Sequence, residues 1–255
     1  MPDLIVDRCG PVMRVQLNRP EKKNAITVAM YEAMAEALRE ADREAAVRAV
    51  LLCGAGGAFT SGNDLRDFLE RPPQGADHPV WRFASAITQA QKPIVAAVHG
   101  LAIGIGTTML FHCDLVYAAE GTRFSLPFVD LGLVPELGSS LMLPALAGHH
   151  RAAELLLLGK PFDERTAQAL GLVAEVVPPE RLDETAMGVA RALAEKPAAA
   201  VRMTKALIKR GHAESLAATL EIEGAQFIAR LRSPEAMEAF TAFLEKRKPD
   251  FSKFD

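Results

Sequence analysis

Cysteine is scarce in this sequence: Cys9, Cys53 and Cys113 are the only three in 255 residues. None stands in CxxC spacing and the number is odd, so they are expected as buried apolar residues in a reducing compartment. A chain of this length can bury a core without disulfide staples. An excess of one charge is also lacking: 29 Lys and Arg against 32 Asp and Glu leave a formal net charge of −3. Broad nucleic-acid binding needs a basic face, so no nucleic acid is expected as a partner. HExxH and other zinc spacings are missing, as are the P-loop GxxxxGK[ST] and the GxSxG elbow, so no metal is expected. The opening residues carry Asp3, Asp7 and Arg8 where a secretory leader needs an apolar core, and Phe254-Asp255 is not an SKL ending. A cytoplasmic location is the expectation.

What is present is an ordinary globular composition, 49% hydrophobic and 24% charged. One stretch, residues 93–113, has no formally charged residue but holds His99, His112 and several glycines and threonines. A buried strand, a glycine turn and a buried helix explain it better than a membrane span, which wants roughly 20 predominantly apolar residues.

Met13, Val15 and Leu17 alternate with Arg14 and Gln16 after Gly10-Pro11, which predicts a hairpin strand. Thr27 can cap a helix carrying Met30, Met34, Leu38 and Ala41. Val50-Leu51-Leu52 reads as a buried strand running into glycines 54–57 and then Ser61-Gly62-Asn63-Asp64. The plan repeats: a helix over 78–91 with Trp81, Ala84, Ile87 and Ala90 on one side, a strand at 94–98, a glycine turn, and a helix through Met109, Leu110 and Phe111. Asp114 opens a further strand. Strand, glycine turn and helix recur, which predicts an α/β core over 1–196. From 197 to 255 the pattern is three helices: one with Val201, Thr204, Leu207 and Ile208 on a face, one with Leu216, Leu220, Phe227 and Leu231, and one opened by Ser233-Pro234. Their apolar stripes can pack on the core or on a neighbouring subunit.

The turns around Gly62-Asn63-Asp64 and Gly104-Ile105-Gly106 place unpartnered helix-start N–H groups at strand ends, where they can hold an oxyanion or a phosphate, or simply turn the chain. The second is not a dinucleotide fingerprint, because Met109 stands at its third glycine position. Glu136, in Pro135-Glu136-Leu137-Gly138, sits among apolar residues and glycines. Such a carboxylate is either a desolvated base or a solvent-facing loop residue. Asp130 nearby reads as structural, and His149-His150 as surface.

These pieces in this order resemble the crotonase, or enoyl-CoA hydratase/isomerase, superfamily. The likeness runs through Leu17-Asn18-Arg19-Pro20, Asn24-Ala25-Ile26, residues 58–65, residues 96–106, Cys113-Asp114, Gly171-Leu172-Val173 and residues 243–249. It implies a spiral of ββα units with a C-terminal α-helical region used in trimer contacts, in homotrimers or dimers of trimers. It implies an acyl-CoA substrate, with coenzyme A as part of that substrate and no separate cofactor. The thioester oxygen would be held by the N–H groups of Asn63 and Ile105. Lys22, Lys23 and Lys246 would meet CoA phosphates, and Ala25, Ser61, Gly62, Asp64 and Leu65 would lie along the adenine and pantetheine. Leu133, Leu137 and Phe243, with Trp81 and Phe83, would line the acyl channel.

The two glutamates of the family's hydratases fall on Thr108 and Phe128. Neither can activate water or supply a proton. Glu136 instead resembles the single catalytic glutamate of the peroxisomal-type Δ3,Δ2-enoyl-CoA isomerases, whose Ser-Gly-Asn-Asp-Leu is matched by residues 61–65. The resemblance therefore implies an enoyl-CoA isomerase of fatty acid β-oxidation, with Phe128 helping to exclude water. A hydratase or other lyase using Glu136 and Asp130, and an acyl-CoA-binding protein without catalysis, are the alternatives.

Overall fold

The computed structural model describes residues 1–73, 75 and 77–254. In chain order the elements are β1 (Leu4–Cys9), β2 (Val12–Leu17), α1 (Val28–Arg43), β3 (Ala49–Gly54), α2 (Leu65–Glu70), α3 (Pro79–Gln89), β4 (Ile94–Val98), β5 (Leu101–Ile103) and α4 (Ile105–Thr108). They continue as β6 (Leu115–Ala119), β7 (Arg123–Ser125), α5 (Ser139–Ala147), α6 (His149–Leu158), β8 (Phe162–Asp163), α7 (Glu164–Ala169), β9 (Glu175–Val177) and α8 (Leu182–Glu195). Three helices close the chain: α9 (Ala198–Arg210), α10 (Ala213–Leu231) and α11 (Pro234–Leu244).

The main sheet has six strands in the order β1-β2-β3-β4-β6-β9. β1 and β2 form the expected antiparallel hairpin, with Asp7 opposite Arg14 and their side chains paired at 2.5 Å. Every later neighbour is parallel. Parallel strands are covered on both faces and so read as continuous apolar runs. The side-chain period of two then divides each strand between two cores. Val50, Leu52, Ile94, Ala96 and Val98 face the main core with Met30, Met34 and Leu38 of α1. Leu51, Cys53, Val95 and Ala97 face the other side, against Ala186 and Ala190 of α8. A second sheet, β5-β7-β8, continues the spiral beyond β4. This is the α/β crotonase fold that the sequence resembles.

Thr27 caps α1, its hydroxyl accepting the Met30 N–H at 3.3 Å. The helix expected over 78–91 forms as α3, with His78 as its cap. Val80, Phe83, Ala86 and Ile87 are buried, and Trp81 and Ala84 join Val80 and Phe83 in bordering a cavity. The helix expected through Phe111 is α-helical only over α4 and continues as a 3-10 turn over Met109–His112.

The C-terminal helices fold back on the spiral through Phe227, Leu231, Ala236 and Phe240. On α9 the buried residue is Lys205, whose Nζ meets Asp114 at 2.7 Å. Thr204, Leu207 and Ile208 point outward instead, as do Met203, Ile222, Met237, Phe243 and Leu244. Among the described residues no helix is long and apolar enough to cross a membrane.

Candidate active site

The two glycine turns lie side by side. Thr60 N–H donates to Leu101 O at 2.9 Å and Ile103 N–H to Thr60 O at 3.2 Å. A Cβ on Gly62 would lie 2.8 Å from Ile103 O, and one on Gly106 would lie 2.4 Å from the Thr60 methyl. Only glycine permits that approach, and Gly62 also has a left-handed φ of 91°.

The approach brings two free N–H groups to one place. Beside Asn63, Ile26 N–H donates to Gly62 O and Asp64 N–H to Ile26 O, which directs the Asn63 N–H away from that bridge. Ile105 opens α4, where the first N–H groups have no intrahelical partner. Among the described residues no protein acceptor takes either N–H. The Asn63 side chain is fixed separately, its Oδ1 accepting the hydroxyl of buried Tyr31 at 2.6 Å. Burial, and then the neighbouring Glu136, hold the Tyr31 pKa well above the usual value, so Tyr31 stays a donor.

Asn63 and Ile105 open onto a cavity of about 290 Å³. Glu136 and Leu137 lie in the same wall, with Tyr31, Phe68, Trp81, Phe83 and Phe227 giving it an aromatic lining. Glu136 is half-buried and borders this space. Burial pushes its pKa up to about 7; a hydrogen bond from Thr108, 2.6 Å long, opposes the rise, and the charge of Glu223 adds to it. The turn that carries Glu136 is held firmly. Leu137 has a left-handed φ of 54°, a conformation costing ~1–3 kcal/mol for a residue with a Cβ. The Nε2–H of buried His112 donates to Leu137 O at 2.8 Å, and the Ser139 hydroxyl donates to Glu136 O at 2.6 Å. Burial pushes the His112 pKa down to about 4, so the imidazole is neutral.

The other expected positions fall in three groups. Lys22, Lys23, Ala25 and Ser61 come together: Ser61 N–H donates to Lys23 O at 2.9 Å and its hydroxyl to Lys22 O at 3.3 Å. Both lysines are exposed. Asp64 and Leu65 start α2, where Asp64 caps the helix and pairs with Arg19 at 3.1 Å. Phe128, Leu133, Phe243 and Lys246 do not reach the cavity wall. Phe128 and Leu133 sit in the hydrophobic core, while Phe243 is 62% exposed and Lys246 lies on the surface after α11. Phe128 is therefore not placed to shield the cavity, the role expected of it. Asp130 is exposed and outside the cavity wall.

The sequence model of the enoyl-CoA hydratase/isomerase family matches residues 8–253. The chain belongs to this family. A crystal structure of an enoyl-CoA hydratase/isomerase from Pseudoalteromonas atlantica T6c superposes with a TM-score of 0.94 at 40% identity, covering 98% of this chain and 100% of that one. Enoyl-CoA delta isomerase 2 of Rattus norvegicus is 36% identical over 96% of this chain and 64% of its own length. The 2,3-dehydroadipyl-CoA hydratase of Escherichia coli K12 is 31% identical over 98% of this chain and 99% of its own. Acyl-CoA chemistry of the crotonase type is thus the family's common ground, and the relatives include both isomerases and hydratases.

Four residues of the site escaped the sequence reading. Tyr31 lies beside the Met30–Met34 stripe, but its hydroxyl partner is 32 positions away. Thr108 reads only as a missing carboxylate until its bond to Glu136 is seen. His112 and Glu223 reach the Glu136 turn through tertiary contacts alone.

Proposed function

We propose that this protein is a Δ3,Δ2-enoyl-CoA isomerase. The observation that carries the reading is one desolvated carboxylate, Glu136, in the same cavity wall as the two free N–H groups of Asn63 and Ile105. A 3-enoyl-CoA would bind with its thioester oxygen on those N–H groups. Glu136 takes a proton from C2; the electron pair left there forms the C1=C2 bond while the carbonyl pair moves onto the held oxygen, giving a dienolate conjugated with the C3=C4 double bond. The protonated Glu136 then returns the proton to C4, giving the trans-2-enoyl-CoA and restoring the carboxylate. A base with a pKa near 7 suits both halves of this shuttle at neutral pH. Loss of one oxyanion donor typically costs ~2.7–4 kcal/mol of rate. The aromatic wall keeps out water that would compete for the intermediate. In the same reading Lys22, Lys23 and Lys246 meet CoA phosphates, and Ala25, Ser61 and Gly62 line the nucleotide and pantetheine. The exposed apolar residues of α9–α11 support assembly into a homotrimer or a dimer of trimers.

A hydratase is the second reading, and Glu221 favours it. This exposed carboxylate of α10 also borders the cavity and could act beside Glu136. Supplying purified protein with 3-hexenoyl-CoA and with crotonyl-CoA separates the two. Isomerisation of the first with little hydration of the second is expected. Rapid hydration of crotonyl-CoA without isomerisation of 3-hexenoyl-CoA sinks the isomerase, and acyl-CoA binding with neither reaction points to a non-catalytic binder.

A further inference from the structure

Helix α5 begins immediately after the Glu136 turn, and it begins without a cap of its own. Its N-cap is Gly138, left-handed at φ 74° and without a side chain to accept the first N–H groups. Those groups are nevertheless satisfied. The carboxylate of Glu223 accepts Gly138 N–H at 2.6 Å through one oxygen and Ser140 N–H at 2.9 Å through the other. Glu223 belongs to α10, 83–85 positions further along the chain, and is 6% exposed. A carboxylate at a helix N-terminus is favoured by the helix dipole, and its hydrogen bonds are charge-assisted. Among the described residues no Lys or Arg pairs with it. A buried carboxylate is costly to keep, so one aimed at the turn behind Glu136 is a specific device.

We infer that Glu223 is a positioning residue for Glu136: it clamps the 136–140 turn from the C-terminal helices and places a buried negative charge directly behind the base. The inference rests on Glu136 being the base, but not on which enoyl-CoA reaction it serves. Three contacts now hold the turn from three elements: Thr108 of α4 on the Glu136 carboxylate, His112 on Leu137 O, and Glu223 on Gly138 and Ser140. The titratable groups around Glu136 are Tyr31 of α1, Glu221 and Glu223 of α10, and neutral His112, behind which stand Lys205 and Lys209 of α9. The charge of Glu223 acts against ionisation of Glu136, as a smaller effect than burial.

The test is the titration of Glu136 in the free protein, followed by 13C NMR of glutamate-labelled samples, with the Glu136 signal assigned by its loss in Glu136→Gln. In Glu223→Gln one acceptor oxygen stays and the charge goes, so the Glu136 midpoint should fall. The acid limb of kcat/KM, measured with whichever enoyl-CoA the protein turns over, should move to lower pH with it. Glu223→Ala should in addition lower kcat by roughly 10–100-fold, the scale of a displaced catalytic group. An unmoved Glu136 midpoint in Glu223→Gln overturns the inference, even if thermal stability drops, because Glu223 is then only a helix cap. A moved midpoint in a protein that proves to be a hydratase leaves the inference standing while the isomerase reading falls.

Discussion

The hydroxyl of Thr108 donates to a carboxylate oxygen of Glu136 across 2.6 Å. Thr108 is wholly buried, so this bond orients the Glu136 carboxylate from inside the protein, and among the described residues no donor meets its other oxygen. Burial favours the neutral acid, and the Thr108 bond favours the carboxylate. The result, a pKa of about 7, reflects burial as the stronger effect.

The pH dependence follows from that balance. Glu136 acts as a base only when ionised, so kcat/KM should rise with pH and reach half its plateau near 7. Thr108→Val keeps the shape and removes the donor, so its midpoint should move to higher pH. Thr108→Ser, which keeps a hydroxyl, should restore most of the shift. An acid limb that stays in place in Thr108→Val means the bond does not tune the base.

In the proposed mechanism the part played by residue 105 is that of its N–H, not its side chain. Ile105→Ala keeps the N–H and should alter kcat by only a few-fold. Proline is favoured at the first position of a helix, where Ile105 stands, and it removes only the N–H. Ile105→Pro should therefore fold and lose ~10²–10³ in kcat. Equal activity in the two variants would move the oxyanion site elsewhere.

The fold was legible where the sequence repeats a local rule. Thr27 with Met30, Met34 and Leu38 marks a capped helix whose stripe is buried as its spacing requires. The two glycine turns were visible because their glycines are rare solutions to close backbone approach, at Gly62 against Ile103 and at Gly106 against Thr60. Glu136 stood out as a carboxylate among apolar neighbours. What tunes it was not legible, because Thr108 and Glu223 meet it from 28 positions before and from α10 far after. Phe243 and Lys246, placed in the acyl and CoA sites by resemblance, are on the surface of this single chain. A local pattern does not say which neighbour an exposed residue will meet.

Glu136→Gln is the direct test of the base. Glutamine keeps the volume and can still face Thr108, so the cavity should persist. Turnover should fall by ~10²–10⁴-fold, the usual share of a positioned acid–base group. Acyl-CoA affinity, measured by calorimetry with a saturated acyl-CoA, should change little. Unchanged turnover would show that another group, with Glu221 the first to examine, removes the proton.

The same substitution should reveal what the base costs the fold. Glu136 has a folded pKa raised from 4.5 to about 7. Its contribution to stability is fully present below the unfolded pKa and is lost as pH rises through the folded one. Above pH 7 the folded protein must hold an ionised carboxylate against its apolar surroundings, at an upper bound of about 3 kcal/mol. Glutamine has no such titration. Urea unfolding of both proteins between pH 5 and pH 8 should therefore show Glu136→Gln gaining on the native protein as pH rises, with most of the change between about pH 5 and 7 and little above that. Parallel stability curves would mean that Glu136 titrates alike in the folded and unfolded chain, and that the cavity does not raise its pKa.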